Sequence, residues 1–439
     1  MTRKSGYALL AALAAVVALV CTAIVVGVGG ARTETSTDAE APRPRASAAA
    51  PAIAGTWVGT WSAAAAATEP DTPHGYPDTS IRNVVHTSVG GTAARVQLSN
   101  VFGTVPVTFT HVTLGVADAP SSPRAVPDTL TTLAFGGRPA VTIPAGQSVV
   151  SDAVRLRVPT AADLLITTYS PTPAGPVTYH PHARQTSYLA HGDHAGDPSG
   201  AAFTERSPYW RYVTAVDVWT DDANGAVVAL GDSITDGVTS TVDADHRWPD
   251  YLAQRLRTSP DGPRLGVLNA GISGNRILTD AAPSIAWNGP RALERAFRDA
   301  LSRTGVKAMV VELGINDIIE LPHRTDPDAI VAGLQQITRE AHAHGVRVVG
   351  GTLMPFGGQR SWTPALERVR QRVNAAIRSG KVFDDVVDFD HALRDPRHPQ
   401  RLLPAYDSGD HLHPTDAGYE AMADALSLPT LTGPAPAGV

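Results

Sequence analysis

The stretch VVALGDSITDG, from Val227 to Gly237, changes abruptly from apolar to polar at Gly231-Asp232-Ser233. Such an apolar run predicts a buried strand, and a small residue at its end lets the chain turn sharply into a loop or helix. A serine on this corner is presented at the carboxyl end of the strand, where open α/β sheets place their ligand sites. The same serine could instead only cap the next helix, so this stretch alone leaves a catalytic and a structural interpretation open.

The pattern around this corner predicts an α/β domain over residues 222–430. Apolar segments alternate there with amphipathic segments, as in a parallel sheet covered by helices on both faces with right-handed crossovers. The predicted strands cover residues 226–231, 264–271, 307–314, 347–354 and 385–389. The predicted helices lie near residues 248–258, 289–303, 327–344, 364–378 and 414–426.

The preceding part of the chain, residues 54–221, has the pattern of an all-β domain. The stretches Thr92–Phe102, Val107–Ala117 and Asp163–Ser170 alternate apolar and polar residues, and clusters of glycine and proline separate them. Short strands at this spacing predict a β-sandwich or jelly roll.

The amino terminus predicts export. Arg3 and Lys4 precede an apolar run from Tyr7 to Val28, so residues 1–31 are predicted to be a signal peptide or an uncleaved membrane anchor. Both alternatives place the remaining chain outside the cytoplasm. The only cysteine, Cys21, lies within this run, so the exported part has no disulfide, cysteine nucleophile or zinc–thiolate site.

The composition is that of a folded protein with two or three domains. The 439 residues are 43% hydrophobic and 18% charged, and the net charge is −6. No basic stretch stands out, which argues against nucleic-acid binding. Residues 32–53 are predicted to be a disordered linker, and residues 431–439 a frayed tail.

Four polar stretches follow predicted strands and could carry chemistry. They are GDSIT (231–235), NAGISGNR (269–276), GIND (314–317) and DHLHPTD (410–416). A serine nucleophile needs a base and a group that orients the base. Asp410 and His413 stand three residues apart before Pro414, a spacing that lets the carboxylate reach Nδ1 while Nε2 points at the serine.

A developing oxyanion also needs hydrogen-bond donors. The candidates are the N–H groups of Ser233 and Gly274 and the side-chain amide of Asn316. Asp232 and Asp317 are expected to be structural, each accepting loop N–H groups that hold its neighbour in place.

These four stretches, in this order, resemble the four blocks of the SGNH (GDSL) hydrolase family over about residues 225–430. The resemblance implies a flavodoxin-like three-layer α/β/α domain with strand order 2-1-3-4-5 and no metal or organic cofactor. The lipase-type Gly-x-Ser-x-Gly motif is absent from the sequence, in agreement with that fold. The implied site residues are the nucleophile Ser233, the base His413, its partner Asp410, and the oxyanion donors Ser233, Gly274 and Asn316.

Other residues offer alternatives to these assignments. His246, His391 and His411 also lie near aspartates, but the Pro-Thr-Asp segment follows only His413. A further group crowds one stretch of the β region and could be either loop residues or metal ligands; it comprises His180, His182, His191, His194 and Asp193. Trp57 and Trp61 could stack on a sugar or belong to the core.

The β region itself resembles the N-terminal region of a subgroup of secreted bacterial SGNH esterases, on residues 57–64, 81–91, 95–103 and 183–188. Its role could be to bind substrate or carbohydrate, or to cover one edge of the hydrolase domain.

The sequence therefore predicts an exported serine esterase that hydrolyses small-acyl carbohydrate esters or lipid and aryl esters. Its expected partners are ester substrates such as acetylated polysaccharides or lipids, with membrane contact only through the N-terminal segment. An alternative of a different class is a cell-surface carbohydrate-binding protein with an inactive hydrolase domain. The complete set of predicted site residues speaks against that alternative.

Overall fold

The computed structural model describes residues 55–433. The predicted signal or anchor segment, the predicted linker and residues 434–439 of the predicted tail lie outside this range. Between residues 55 and 433, no helix combines the length and the apolar character needed to cross a bilayer.

Residues 56–220 form a region of short strands, as the alternating pattern predicted. The strands are Thr56–Ser62 (β1), Ala67–Thr68 (β2), Thr79–His86 (β3), Ala93–Ser99 (β4), Val107–Phe109 (β5), His111–Val116 (β6), Thr131–Thr132 (β7), Val141–Ile143 (β8), Ser148–Val150 (β9), Asp163–Ser170 (β10), Thr178–His180 (β11), Ser187–His191 (β12), Glu205–Ser207 (β13), Trp210–Arg211 (β14) and Val213–Thr220 (β15).

Two antiparallel sheets make up most of this region. One has the order β1-β15-β4-β9, and the other has the order β13-β12-β3-β10-β6-β7. The first and last strands of the region pair along their length, with Trp57 opposite Trp219. Apolar side chains of both sheets, among them Val96 in β4 and Leu164 in β10, belong to one buried cluster.

The alternating stretch Val107–Ala117 is broken in the structure. Its first part is β5, which pairs with β8, whereas its second part is β6, which pairs with β10 and β7. Thr110 between them is exposed and donates its N–H to Tyr169 O at 3.1 Å. Because an alternating pattern only requires that one face be buried, it cannot report that the chain changes sheets midway.

The second half of the chain contains the predicted parallel sheet. Its strands are Gly225–Gly231 (β16), Leu265–Gly271 (β17), Val306–Glu312 (β18), Arg347–Gly351 (β19) and Asp385–Val387 (β20). They lie in the order β17-β16-β18-β19-β20, which is the predicted order 2-1-3-4-5. Every residue of β16 is buried, as expected of a central parallel strand.

Helices follow these strands near the predicted positions. The α-helices are Ser233–Asp236 (α1), Trp248–Thr258 (α2), Ala292–Ala296 (α3), Ile315–Ile319 (α4), Pro327–Ala343 (α5), Pro364–Arg378 (α6), Phe389–Leu393 (α7) and Asp416–Ala425 (α8). A π-helical turn, Phe297–Leu301, continues α3, and two 3-10 helices lie at Pro283–Asn288 and Leu428–Leu431. A small two-stranded sheet is formed by Arg394–Asp395 (β21) and His398–Leu402 (β22).

The β region packs against β17, which is an edge strand of the parallel sheet. The Val267 N–H of β17 donates to Ser88 Oγ at 2.9 Å, so the β region satisfies a backbone donor of that edge. A Cβ on Gly266 would lie 2.3 Å from Gly59 O of β1, so glycine is required for this approach. Of the roles considered for the β region, the structure therefore shows that it covers one edge of the parallel sheet.

Candidate active site

The corner after β16 presents Ser233 at the carboxyl end of the central strand. Gly231 permits the turn, because a Cβ there would lie 2.0 Å from Thr235 Oγ1. Asp232 then caps the short helix α1, accepting the Ile234 N–H at 3.1 Å, as expected for a structural aspartate. Ser233 is the first residue of α1.

The structure brings Ser233, His413 and Asp410 together. Ser233 Oγ lies 2.8 Å from His413 Nε2, and His413 Nδ1 lies 2.6 Å from Asp410 Oδ2. The Asp410 carboxylate also accepts the backbone N–H of His413 at 2.8 Å. One ring nitrogen thus faces the serine and the other faces a carboxylate, as a serine–histidine relay requires.

The environment keeps Asp410 ionised. Partial burial alone would raise the pKa of Asp410, but hydrogen bonds from His413 and from the Leu412 N–H outweigh it and hold that pKa well below its usual range. A negative carboxylate favours the tautomer with the proton on Nδ1 and leaves Nε2 free to accept from Ser233.

The competing histidines contact other carboxylates. His246 Nδ1 lies 2.7 Å from Asp416 Oδ2, and His411 Nδ1 lies 2.6 Å from Asp407 Oδ2. His391 is exposed, and its N–H donates to Asp388 Oδ1 at 3.1 Å. The contact with Ser233 therefore distinguishes His413 from the three alternatives.

Two of the three predicted oxyanion donors, Gly274 and Asn316, lie on neighbouring segments. Gly274 has a φ of 73° in the turn that Asn275 N–H closes onto Ile272 O at 3.1 Å, a conformation that favours glycine. Asn316 is buried in α4 and donates from Nδ2 to Asn275 O at 3.2 Å. Its second amide hydrogen remains available for another acceptor.

Asp317 connects α4 to the chain that follows Gly274. Its carboxylate accepts the Ile277 N–H at 2.8 Å and the Leu278 N–H at 3.1 Å. The expectation that Asp317 accepts loop N–H groups is therefore confirmed, and the loop is the one that follows Gly274.

A buried ion pair from the β region reaches the nucleophile helix, and sequence reasoning missed it. His180 in β11 places Nδ1 at 2.9 Å from Ala64 O and Nε2 at 2.9 Å from Asp236 Oδ1. Both ring nitrogens face acceptors, so both carry a proton. Burial alone would lower the pKa of His180, but the charge of Asp236 outweighs it and raises that pKa. The interpretation of His180 as a loop residue is wrong.

Asp236 also binds the turn that contains Gly274. Its Oδ2 accepts the Ser273 N–H at 2.9 Å and the Ser273 hydroxyl at 2.6 Å. The β region thus fixes both the helix that begins with Ser233 and the turn that holds Gly274. No local motif marks this contact, because His180 and Asp236 lie far apart in the chain.

A second buried pair of carboxyl groups lies next to Ser233. Asp232 and Glu312 are both fully buried, and they lie close enough for the charge of Asp232 to raise the pKa of Glu312. Asp232 Oδ2 and Glu312 Oε1 have no N–H or O–H donor among the described residues, so a shared proton is needed to join them. Burial raises the pKa of Asp232 to about 7, and burial together with the charge of Asp232 raises the pKa of Glu312 well above its usual range.

This pair predicts a stability that falls as the pH rises. The folded state keeps a proton on Asp232 to about pH 7, whereas an unfolded aspartate loses its proton near the usual value of 3.8. The stabilisation is therefore complete below about pH 4 and is lost as the pH rises through about 7. Relative to Glu312→Gln, whose amide can donate to Asp232, the unfolding free energy of the wild type should fall by about 1.4 kcal/mol per pH unit in this window.

Urea unfolding of both proteins between pH 4 and 8 measures this difference. The control is Glu205→Gln, which alters an exposed glutamate in the β region. Its unfolding free energy should change with pH as that of the wild type does. Parallel curves for the wild type and Glu312→Gln would contradict the shared proton.

The remaining candidates of the β region do not gather into one site. His191 and His194 bind no common carboxylate in the described chain, and Trp61 is buried against Trp210, so Trp61 is a core residue. Between residues 55 and 433, a metal-ligating arrangement of three side chains occurs at His86, Asp163 and Asp245, which sequence reasoning did not select.

A parallel α/β sheet that presents a serine, a histidine and a carboxylate in hydrogen-bond contact is the arrangement of a serine hydrolase. In agreement with this class, residues 229–421 match the GDSL-like Lipase/Acylhydrolase family. Residues 229–421 therefore form a domain of that family, the SGNH hydrolases, and this domain is that of a carboxylic ester hydrolase. The resemblance noted in the sequence is confirmed.

Solved structures of several esterases show weak similarity to part of the chain. A carbohydrate acetylesterase from Sinorhizobium meliloti is 15% identical with a TM-score of 0.37, and the match covers 46% of this chain and 95% of that chain. The M. smegmatis aryl esterase is 18% identical with a TM-score of 0.37 and the same coverage. A GDSL-like lipase from Bacteroides thetaiotaomicron is 20% identical with a TM-score of 0.33, and the match covers 46% of this chain and 85% of that chain. No curated protein sequence matches the chain.

Proposed function

We propose that this protein is an exported serine esterase in which Ser233 is the nucleophile, His413 the general base and Asp410 the residue that orients His413. The observation that carries the proposal is the continuous contact from Ser233 Oγ through His413 to Asp410. The alternative of an inactive carbohydrate-binding protein has no such observation in its favour.

The reaction follows from these contacts. Ser233 Oγ gives its proton to His413 Nε2 and attacks the ester carbonyl carbon, whose oxygen becomes an oxyanion. The N–H groups of Ser233 and Gly274 and the amide of Asn316 stabilise that charge. Collapse of the intermediate expels the alcohol, which takes the proton from His413. Water activated by His413 then cleaves the acyl-enzyme and restores Ser233.

The substrates that we propose carry short acyl groups, such as acetylated carbohydrates or small aryl esters. A cavity of about 260 Å³ is lined by Pro181, Pro208 and Val242 together with polar residues, among them His182 and Arg184. The charge of His413 acts on His182, which supports placing this cavity beside the site. A cavity of this size suits a small substituent better than a long chain.

A panel of p-nitrophenyl esters from acetate to palmitate, with acetylated xylan beside it, tests this function. We expect kcat/KM for acetate or butyrate to exceed that for palmitate at least tenfold. Ser233→Ala in the same assays controls for contaminating esterases. Absence of hydrolysis of every ester by the folded protein would refute the function, and a preference for palmitate would refute the short-acyl assignment alone.

We also propose the layer arrangement of the two domains and the location of the protein. The strand order supports a flavodoxin-like three-layer hydrolase domain, and the two antiparallel sheets with a common apolar cluster support a β-sandwich. Arg3, Lys4 and the apolar run that follows them support export, with any membrane contact made through that segment.

A further inference from the structure

The cluster formed by His86, Asp163 and Asp245 lies outside the proposed active site. His86 ends β3 and Asp163 begins β10, and the two residues are direct partners in the antiparallel pair. Asp245 comes from the loop between α1 and α2. His86 Nδ1 lies 2.8 Å from Asp163 Oδ1 and 3.0 Å from Asp245 Oδ2.

A fourth side chain is aimed at the same point. Gln185 is only 2% exposed, and its Nε2 lies 3.1 Å from Asp245 Oδ1 and 3.4 Å from Asp163 Oδ1. Gln185 Oε1 is buried and has no hydrogen-bond partner among the described residues. Rotation of the Gln185 amide by half a turn exchanges the positions of its oxygen and nitrogen. The oxygen would then face the carboxylates of Asp163 and Asp245. That arrangement is favourable only if a cation lies between the amide oxygen and the carboxylates.

The local charge also favours a cation. Asp163 is buried and Asp245 is largely buried, and His86 is the imidazole they share. Arg247 lines the same cavity as His86 and Asp245, and Asp250 binds its guanidinium through contacts of 2.7 and 3.0 Å. Two buried carboxylates with one imidazole therefore leave negative charge that a divalent cation would neutralise.

The spacing of the donor atoms and the access to them fit a metal ion. Adjacent ligands that bind an octahedral ion at about 2.1 Å stand about 3 Å apart, close to the separations around His86 Nδ1. His86 and Asp245 also line a cavity of about 230 Å³, which gives a hydrated ion a path and room for water ligands. A mixed set of imidazole and oxygen ligands suits first-row divalent metals better than Ca²⁺.

We propose that His86, Asp163, Asp245 and the Gln185 carboxamide bind one first-row divalent cation such as Mn²⁺ or Zn²⁺. The ion is structural: it joins β3 and β10 of the β region to the loop that leads from the nucleophile helix to α2. The same loop is already held by Asp243, which accepts the Thr186 N–H at 2.6 Å. Binding of the ion then stabilises the contact between the β region and the hydrolase domain.

Calorimetric titration of Mn²⁺, Zn²⁺ and Ca²⁺ into the full-length, tag-free protein after EDTA treatment tests this site, with thermal unfolding as the second readout. We expect binding of one Mn²⁺ or Zn²⁺ per chain and a higher Tm in its presence. Asp245→Asn and His86→Gln should each weaken the affinity at least tenfold and abolish the rise in Tm.

His342→Gln is the matched control, because His342 Nε2 lies 2.9 Å from Asp384 Oδ1 in a pair that lacks a second carboxylate; it should bind the metal as the wild type does. Absence of binding by the wild type overturns the proposal, as does affinity that both cluster variants retain. Preference for Ca²⁺ that His86→Gln leaves unchanged also overturns it. Esterase activity is not a readout here, so failure of this site and failure of the proposed function are distinguishable.

Discussion

Ser233→Ala is expected to lower the rate of ester hydrolysis by about 10⁶-fold while the protein remains folded. Alanine lacks the hydroxyl that lies 2.8 Å from His413 Nε2, so no acyl-enzyme can form. The residual rate would come from the oxyanion donors and from substrate binding. Steady-state kinetics on p-nitrophenyl acetate, with circular dichroism to confirm folding, measure this loss.

The double variant Ser233→Ala/His413→Ala shows whether the two residues act as one unit. Its rate of hydrolysis should be about as low as that of either single variant, because the base has no function without the nucleophile. A serine-directed phosphonate should label the wild type at Ser233 alone. Ser302→Ala, which removes a hydroxyl bound only to Arg298 O at 2.9 Å, is the control and should keep full activity. Losses that add in the double variant would identify a different base.

The hydrolase half could be predicted because its signals are local. Continuous apolar runs mark parallel strands that are buried on both faces. Capping residues followed by proline mark helix starts, such as Thr363-Pro364 at α6 and Asp326-Pro327 at α5. The predicted bounds of α2 and α6 agree with the observed ones. The predicted strand over residues 347–354 ends earlier, at Gly351, since the apolar residues that follow it are buried in a loop.

The buried charges around the site could not be predicted in this way. His180 reaches Asp236 across 56 positions of the chain, and the shared proton of Asp232 and Glu312 depends on contact across 80 positions. Neither separation along the sequence produces a helical or strand pattern, because each contact forms only when the sheets have packed. The same limit applies to the His86 cluster, whose members come from two strands and a loop.

Asn316→Ala is expected to lower kcat by about 10²–10³-fold, or roughly 2.7–4 kcal/mol, and to leave KM nearly unchanged. Asn316 uses one amide hydrogen to bind Asn275 O at 3.2 Å, which holds the amide in place and leaves its other hydrogen to donate to the oxyanion. A donor oriented before the reaction stabilises the charge that develops in the transition state more than the neutral carbonyl of the substrate. Its loss therefore raises the barrier without weakening binding.

Asn316→Asp removes the hydrogen-bond donor without changing the size of the side chain. Aspartate keeps the shape but offers no donor and sets a negative charge against the oxyanion, so this variant should be at least as slow as Asn316→Ala. Asn224→Ala, at an exposed asparagine, is the control and should match the wild type. Kinetics on one soluble ester, with thermal melts for each variant, measure these effects. A folded Asn316→Ala enzyme that keeps more than about a third of its kcat would remove Asn316 from the oxyanion hole, because the loss of an oriented donor cannot cost so little.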